Sequence, residues 1–212
     1  TGSTADNSTN AGCPMDVEKL VGAGKDADVN GDLVMVMGCK PDEKIPVVYA
    51  GADNANVNGD VMLTITSGKF GKVFGGNNAG GYILGRIRLN IEETADCDPA
   101  VPIEIDELYL GGNEAEYSMY GYYNDGTADA PVYKSRTAAM DAITDPNAEG
   151  YKPAVTSIAG MEVRKPAPYV KPELNIISCT KIDKVYGGGY GAGATIYGDP
   201  IVNINMIPGK HT

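Results

Sequence analysis

Short apolar runs that end in a small-residue corner recur along the chain. They are Lys19-Leu20-Val21-Gly22-Ala23-Gly24, Val47-Val48-Tyr49-Ala50-Gly51-Ala52, Lys72-Val73-Phe74-Gly75-Gly76-Asn77, Glu107-Leu108-Tyr109-Leu110-Gly111-Gly112-Asn113 and Lys184-Val185-Tyr186-Gly187-Gly188-Gly189. In most of these units a polar turn follows, and then a second run with strict alternation. Arg86, Arg88 and Asn90 fall on one side, with Ile87, Leu89 and Ile91 on the other. Asn203 and Asn205 alternate in the same way with Val202, Ile204 and Met206. Period two with one apolar face is the mark of a half-buried strand.

The first small residues of the five corners (Gly22, Ala50, Gly75, Gly111, Gly187) lie 28, 25, 36 and 76 residues apart. The shorter spacings suit a repeat array, and the longer ones read as the same unit carrying insertions. A unit of two short strands cannot bury its apolar face alone but can do so against its neighbours. The pattern therefore predicts an all-β fold: a β-solenoid, parallel β-helix-like, of about five rungs spaced ~4.8 Å. It spans 13–212 as a single domain with one long insertion at 113–172, after a flexible N-terminal segment at 1–12. Within the insertion Ser135 to Ile143 reads as a short helix stopped before Pro146. Leu174 to Ile177 reads as the strand before the last unit. The alternative is an antiparallel β-sandwich, in which NVNGD at 56–60 would be a hairpin turn. The long-period recurrence favours the solenoid.

Composition narrows the function classes. The 212 residues include 28 Gly, 13 Pro and 13 Tyr against 2 Phe and no Trp, so turns are plentiful and large core aromatics scarce. A formal charge of −11 disfavours nucleic acid as a partner, because phosphates call for a basic footprint. It equally disfavours an anionic membrane surface, and no apolar run approaches the ~20 residues of a membrane helix. The chain opens on Thr1-Gly2-Ser3 without a Met, as a mature or excised piece would.

The stretches NGDVMLTITSGKFGKVFGGNNAGG (58–81) and KIDKVYGGGYGAGATIYGDPIVNINMIPGK (181–210) resemble Gly-rich repeats of large adhesin-like surface proteins of gut Bacteroidetes. The resemblance lies in a V-[FY]-G-G-[GN] corner placed before a G-x-[VI]-x-[VI]-x-I strand. It implies export and an extracellular or cell-surface setting, and it brings no catalytic or binding residues with it.

Several residue sets carry candidate chemistry. Cys13, Cys39, Cys97 and Cys179 open units one, two, four and five, with Ser67 at the equivalent place in unit three. Stacked, they read either as a ladder of small buried side chains or as disulfides Cys13–Cys39 and Cys97–Cys179. A zinc site has little support, since there is no CxxC and the lone His211 lies at the C-terminal end. Asp26, Asp28, Asn30 and Asp32, with Gly31, resemble the start of a calcium loop, making structural calcium the one candidate cofactor. However, Met37 stands where the bidentate carboxylate belongs, and Asn54, Asn56, Asn58 and Asp60 repeat the pattern in the next unit as an Asx-rich turn.

Tyr117, Tyr120, Tyr122, Tyr123 and Tyr133 offer a platform for sugar rings, or else pin the insertion to the repeats. The corner at 187–193 lacks the Lys-Ser/Thr of a phosphate loop. Arg86 and Arg88, with Asp60 and Asp199 at strand starts, resemble the carboxylate and arginine set of polysaccharide-cleaving β-helices, or else form the solvated face of the strand. No serine-nucleophile elbow accompanies them. The expectation is a non-catalytic extracellular structural or adhesion module of a larger surface protein. Its candidate partners are a host or microbial glycan, a surface protein, or further copies joined end to end. The alternatives are a glycan-binding module centred on the tyrosines and a polysaccharide-cleaving enzyme.

Overall fold

A computed structural model describes residues 17–39, 43–97, 99–158, 161–162 and 170–205; Cys13 and the 1–12 segment lie outside them. Unit one forms β1 (Lys19–Val21) and β2 (Leu33–Met37), unit two β3 (Ile45–Tyr49) and β4 (Val61–Ile65), and unit three β5 (Gly68–Phe74) and β6 (Ile87–Glu92). Unit four opens with β7 (Ile103–Tyr109). The insertion then supplies β8 (Tyr117–Ser118), β9 (Tyr122–Asn124), β10 (Tyr133–Ser135), the single-turn helix α1 (Ala138–Asp141), β11 (Ser157–Ile158) and β12 (Met161–Glu162). The chain closes with β13 (Glu173–Ser178), β14 (Lys181–Tyr186), β15 (Ile196–Tyr197) and β16 (Ile201–Ile204).

The strands sort into two five-stranded sheets, ordered β1-β3-β5-β7-β14 and β16-β13-β6-β4-β2. Every neighbouring pair in both sheets is parallel. Each unit therefore gives one strand to each sheet, and β13 completes unit four after the insertion. Between the two strands of a unit, Val29, Val57 and Ile83 form a third line of parallel bridges. This overturns the antiparallel sandwich. Val57, inside the NVNGD turn, pairs in parallel with the units on either side rather than closing a hairpin. The helix is also shorter than expected, because Ser135 belongs to β10 and Thr137 caps α1 by accepting from Met140 N at 3.3 Å.

Because the register is unbroken over most of each ladder, equal positions of successive units stack in columns. Met35, Leu63, Leu89, Leu174 and Val202 make one column, and Met37, Ile65, Ile91, Ile176 and Ile204 another. Leu20, Val48, Val73, Leu108 and Val185 face them from the other sheet. These columns merge into one apolar core that is almost fully shielded in the middle units. Outward positions pair as well: Asn175 Nδ2 donates to Asn90 Oδ1 at 3.0 Å, and Asn203 Nδ2 to Asn175 Oδ1 at 2.8 Å. Arg88 donates through Nε and a terminal nitrogen to Glu173 Oε2 at 3.0 and 2.9 Å.

The aromatic residue of each corner motif has the same explanation. Tyr49, Phe74, Tyr109 and Tyr186 occupy equal register positions. Their rings stack at centroid distances of 5.0, 4.9 and 4.7 Å, close to the strand spacing itself. The corner glycines are there for close approach and not for backbone sign, since Gly75, Gly76 and Gly111 are absent from the positive-φ set. A Cβ on Gly76 would lie 2.6 Å from Gly112 N in the next unit. The Asn that ends the third corner is buried and satisfied: Asn77 Oδ1 accepts from Ala52 N at 2.8 Å, and Nδ2 donates to Ala55 O and Gly80 O.

The disulfide pairing differs from expectation. Cys39 is bonded to Cys97, while Cys179 is buried and stands outside that bond. Cys39 and Ser67 each lie two residues past the end of a second-sheet strand, β2 at Met37 and β4 at Ile65, and Cys97, in the connection from β6 to β7, comes to both. Ser67 Oγ lies 3.3 Å from Cys97 Sγ and accepts from Cys39 N. Burial raises the Cys179 thiol pKa.

Phe74→Ala removes an inner ring of the four-ring stack and a fully buried side chain, and should cost about 3–5 kcal/mol in urea unfolding. Peptide mapping of unreduced protein should recover Cys39 linked to Cys97, and a Cys97–Cys179 peptide would refute the pairing. Cys39→Ser with Cys97→Ser should lower stability by about 2–4 kcal/mol.

Candidate functional site

The insertion leaves the repeats at Gly112 and first runs with them, as β8 pairs in parallel with β15. Tyr117 and Tyr122 then drive inward. Both rings are fully buried, and their hydroxyls donate to Gly85 O at 3.0 Å and Ile83 O at 3.2 Å. Burial pushes both phenols far above their ordinary pKa. Buried polar groups need such partners, so these two tyrosines are anchors. Neither offers a face to a sugar ring, and Tyr120 packs against the main core instead of standing out. For these three residues the platform reading gives way to the anchoring one.

β9 and β10 form an antiparallel hairpin. Its turn is held by Asn124, whose Oδ1 accepts from Gly126 N and Val132 N at 2.9 Å each. Tyr82, from the turn before β6, meets this hairpin from the repeat side. Its ring lies 4.7 Å from Tyr122 and edge-on to Tyr133, and its hydroxyl donates to Tyr133 O at 2.9 Å. Leu84, Tyr122 and Ile158 close a small second core with it.

Arg136 fixes the far wall. Its buried guanidinium donates to Lys152 O, Tyr120 O and Asp141 Oδ1, each at 2.9 Å. Val155 N bonds Tyr122 O at 2.8 Å, laying the 152–157 segment along the hairpin.

Between that segment and the hairpin lies a cavity of about 370 Å³, lined by Tyr123, Tyr133, Asn124, Lys152, Thr156 and Ser157 among others. Lys152 Nζ sits 5.0 Å from the Tyr123 ring centroid and 3.3 Å from Asp125 Oδ1. Hydrogen bonds from Lys134 and then Lys152 hold the Asp125 carboxyl below its ordinary range. Of the five candidate tyrosines, the fold brings only Tyr123 and Tyr133 to this groove. Tyr82, Arg136 and Lys152 were missed in the sequence because nothing in their own neighbourhoods marks contacts made over tens of residues.

A second aromatic surface was also missed. Tyr190 lies edge-on to Tyr109 and Phe74, with Lys72 Nζ 4.1 Å from its ring. Beneath it Glu107 accepts from Lys184 at 2.8 Å and from the Tyr109 hydroxyl at 2.7 Å, with Lys72 at 3.5 Å. Chiefly through the Lys184 and Tyr109 hydrogen bonds, the Glu107 carboxyl is held at about 2.

The calcium candidates do not converge on a common point. Asp28 accepts from Asn56 N at 2.8 Å and Nδ2 at 3.1 Å, Asn30 from Asn58 Nδ2 at 3.0 Å, and Asp32 from Asp60 N at 3.0 Å. Asp26 is exposed beside Lys25. The next unit repeats the device, since Asn56 and Asp60 accept from Tyr82 N and Arg86 N. Among the described residues no cluster of three or more His, Cys, Asp or Glu is placed to hold a metal. Arg86 and Arg88 face Asp60 and Glu173, and Asp199 pairs with Lys171.

Arg136→Ala should leave the two sheets folded while opening 137–157 to limited proteolysis, because three carbonyl or carboxylate partners lose their donor together. Glu107 has a folded pKa below its ordinary 4.5, so its contribution is complete above that pH and is lost as pH falls toward about 2. Urea midpoints measured across that window should fall less for Glu107→Gln than for the native chain. Comparison with models of known families, with curated proteins and with solved structures finds no match for this chain.

Proposed function

We propose that the chain is a β-solenoid module of an extracellular surface protein, with a structural or adhesive and non-catalytic role. The observation that carries this reading is the parallel stacking of equal positions through five units in both sheets. Polar side chains of the strands and turns reach the neighbouring unit, as Asn90 does Asn175, Arg88 Glu173, Asp28 Asn56 and Asp60 Arg86, which ties the layers together. The Cys39–Cys97 disulfide suits an oxidising, extracellular setting. The likeness of the corner motif to surface proteins of gut Bacteroidetes points the same way. Five layers at the strand spacing advance only ~24 Å, so the module is a block of a stalk and not a whole one. Assays for release of reducing or unsaturated ends from anionic polysaccharides should show no turnover, and measurable turnover would end the non-catalytic reading.

A second reading, a glycan-binding module, is favoured by the groove at Tyr123 and Tyr133. The half-buried Tyr133 ring, with the largely buried Tyr123, Lys152 and two hydroxyl residues around the groove, combines an apolar face with polar groups at its edge, which is what a pyranose presents in return. On a glycan array the intact chain should bind, and Tyr133→Ala should weaken binding about tenfold or more without changing the circular dichroism. An array with no signal for the intact chain leaves the structural role alone.

A further inference from the structure

Among the described residues no layer follows either end of the stack, and the two ends match each other. At the C-terminal end, the columns that are shielded in the middle units finish on Val202, 38% exposed, and Ile204, 65% exposed. The aromatic column finishes on Tyr186, also exposed. At the other end the same columns start on Met35 and Met37, which are only half-buried, while Val34 and Val36, 62% and 68% exposed, lie on the outward face of β2 in register with Met62 and Thr64. No described strand pairs with the outer edge of β1, β2, β14 or β16.

The backbone of these edges is complementary in register. Leu33 N donates to Asp60 O, and Met37 O accepts from Thr66 N, so β2 spends its odd positions on β4. Ladder alternation leaves the amides and carbonyls of Val34 and Val36 facing outward. Ile201 N donates to Pro172 O and Asn205 N to Ile176 O, which leaves those of Val202 and Ile204 facing outward. Continuing the internal register sets Ile201, Val202, Asn203 and Ile204 against Val34, Met35, Val36 and Met37 of another copy. The open groups of one edge then meet the open groups of the other.

The corner glycines give an independent sign that the C-terminal end can take a further layer. Gly51, Gly76, Gly111 and Gly188 share one register line, since each amide of the first three donates to the carbonyl of the next. A Cβ on Gly51, Gly76 or Gly111 would collide with backbone of the following unit at 3.0, 2.6 and 2.9 Å. A Cβ on Gly188 would meet nothing within 4 Å. The residue that admits a next layer is present where no described strand follows.

We propose that the module associates head to tail, the C-terminal layer of one copy (β14, β16 and Gly188) receiving the N-terminal layer (β1 and β2) of a second copy. This rests on the solenoid reading above and supplies the length that one block lacks. A second copy is the occupant because its first unit continues the columns in kind, with Leu20 on Val185 and Met35 on Val202. Such a contact is heterologous and does not close on itself, so it propagates as a linear fibre. Lys184 would approach Lys19, and each copy carries a charge of −11, so salt favours association.

Sedimentation velocity over a concentration series, in about 0.5 M salt where the Debye length is about 4 Å, tests this directly. The native chain should form concentration-dependent linear oligomers. Gly188→Val blocks the C-terminal end where no internal contact is touched, and Val36→Pro removes an outward amide from an edge strand that tolerates proline. Each variant alone should be monomeric, with association weakened about tenfold or more, and an equal mixture should give a 1:1 dimer through the two intact ends. Val34→Glu with Val36→Glu replaces Val36→Pro if the latter loses its fold. A native chain that stays monomeric throughout overturns the proposal. So does a variant that still self-associates while the mixture forms no dimer, because like ends would then be pairing. Hydrogen exchange on the monomeric variants tests the layered fold separately: slow amides in β4, β6 and β13 keep the solenoid reading even if association fails.

Discussion

In-register parallel stacking is the constraint on which everything else here depends. Once strands of successive units lie one strand spacing apart with equal positions aligned, each side chain has its own counterpart as nearest neighbour above and below. Apolar residues then build columns, aromatic rings stack face to face, and asparagines satisfy one another through their amides. The choice of residue at a column is therefore collective. A glycine at the corner is imposed by the backbone of the next unit, as Gly76 is by Gly112, and a small side chain in one layer protects the approach of another.

The same constraint explains how charge is managed in an acidic chain. Lysines and carboxylates share register lines: Lys72, Glu107 and Lys184 lie in succession on the first sheet. Each such contact is exposed and modest in energy. Their value is in spacing unlike charges at the strand repeat, where like charges would repel. Glu107 is the most constrained of them, held between two lysines and the Tyr109 hydroxyl.

The insertion obeys different rules, since its contacts are not repeated. It is fastened by buried tyrosine hydroxyls donating to carbonyls of unit three, by the small core around Leu84 and Ile158, and by the three principal hydrogen bonds of Arg136. The groove at Tyr123 and Tyr133 exists because these fastenings hold two segments apart. Rigid repeats thus position a site made of irregular chain, a common division of labour between scaffold and loop.

What the sequence determined by itself was everything that repeats: the units, their two strands, the inward and outward faces, and the place where the array is interrupted. Periodicity is local information copied several times, so it survives without knowledge of contacts. It also placed Asp28, Asn30 and Asp32 in a recurring turn, which is where the fold uses them. Tertiary structure alone decided what does not repeat. Cys97, in the connection from β6 to β7, reaches Cys39 beside Ser67 of the unit between them, a pairing hidden when the cysteines are read in order. Tyr117 and Tyr122 became anchors while Tyr123 and Tyr133 reached a groove, although all four lie in one tyrosine-rich stretch. Which way each points was fixed by Tyr82, Leu84 and Arg136, residues distant in sequence, and a pairing made once leaves no period to read.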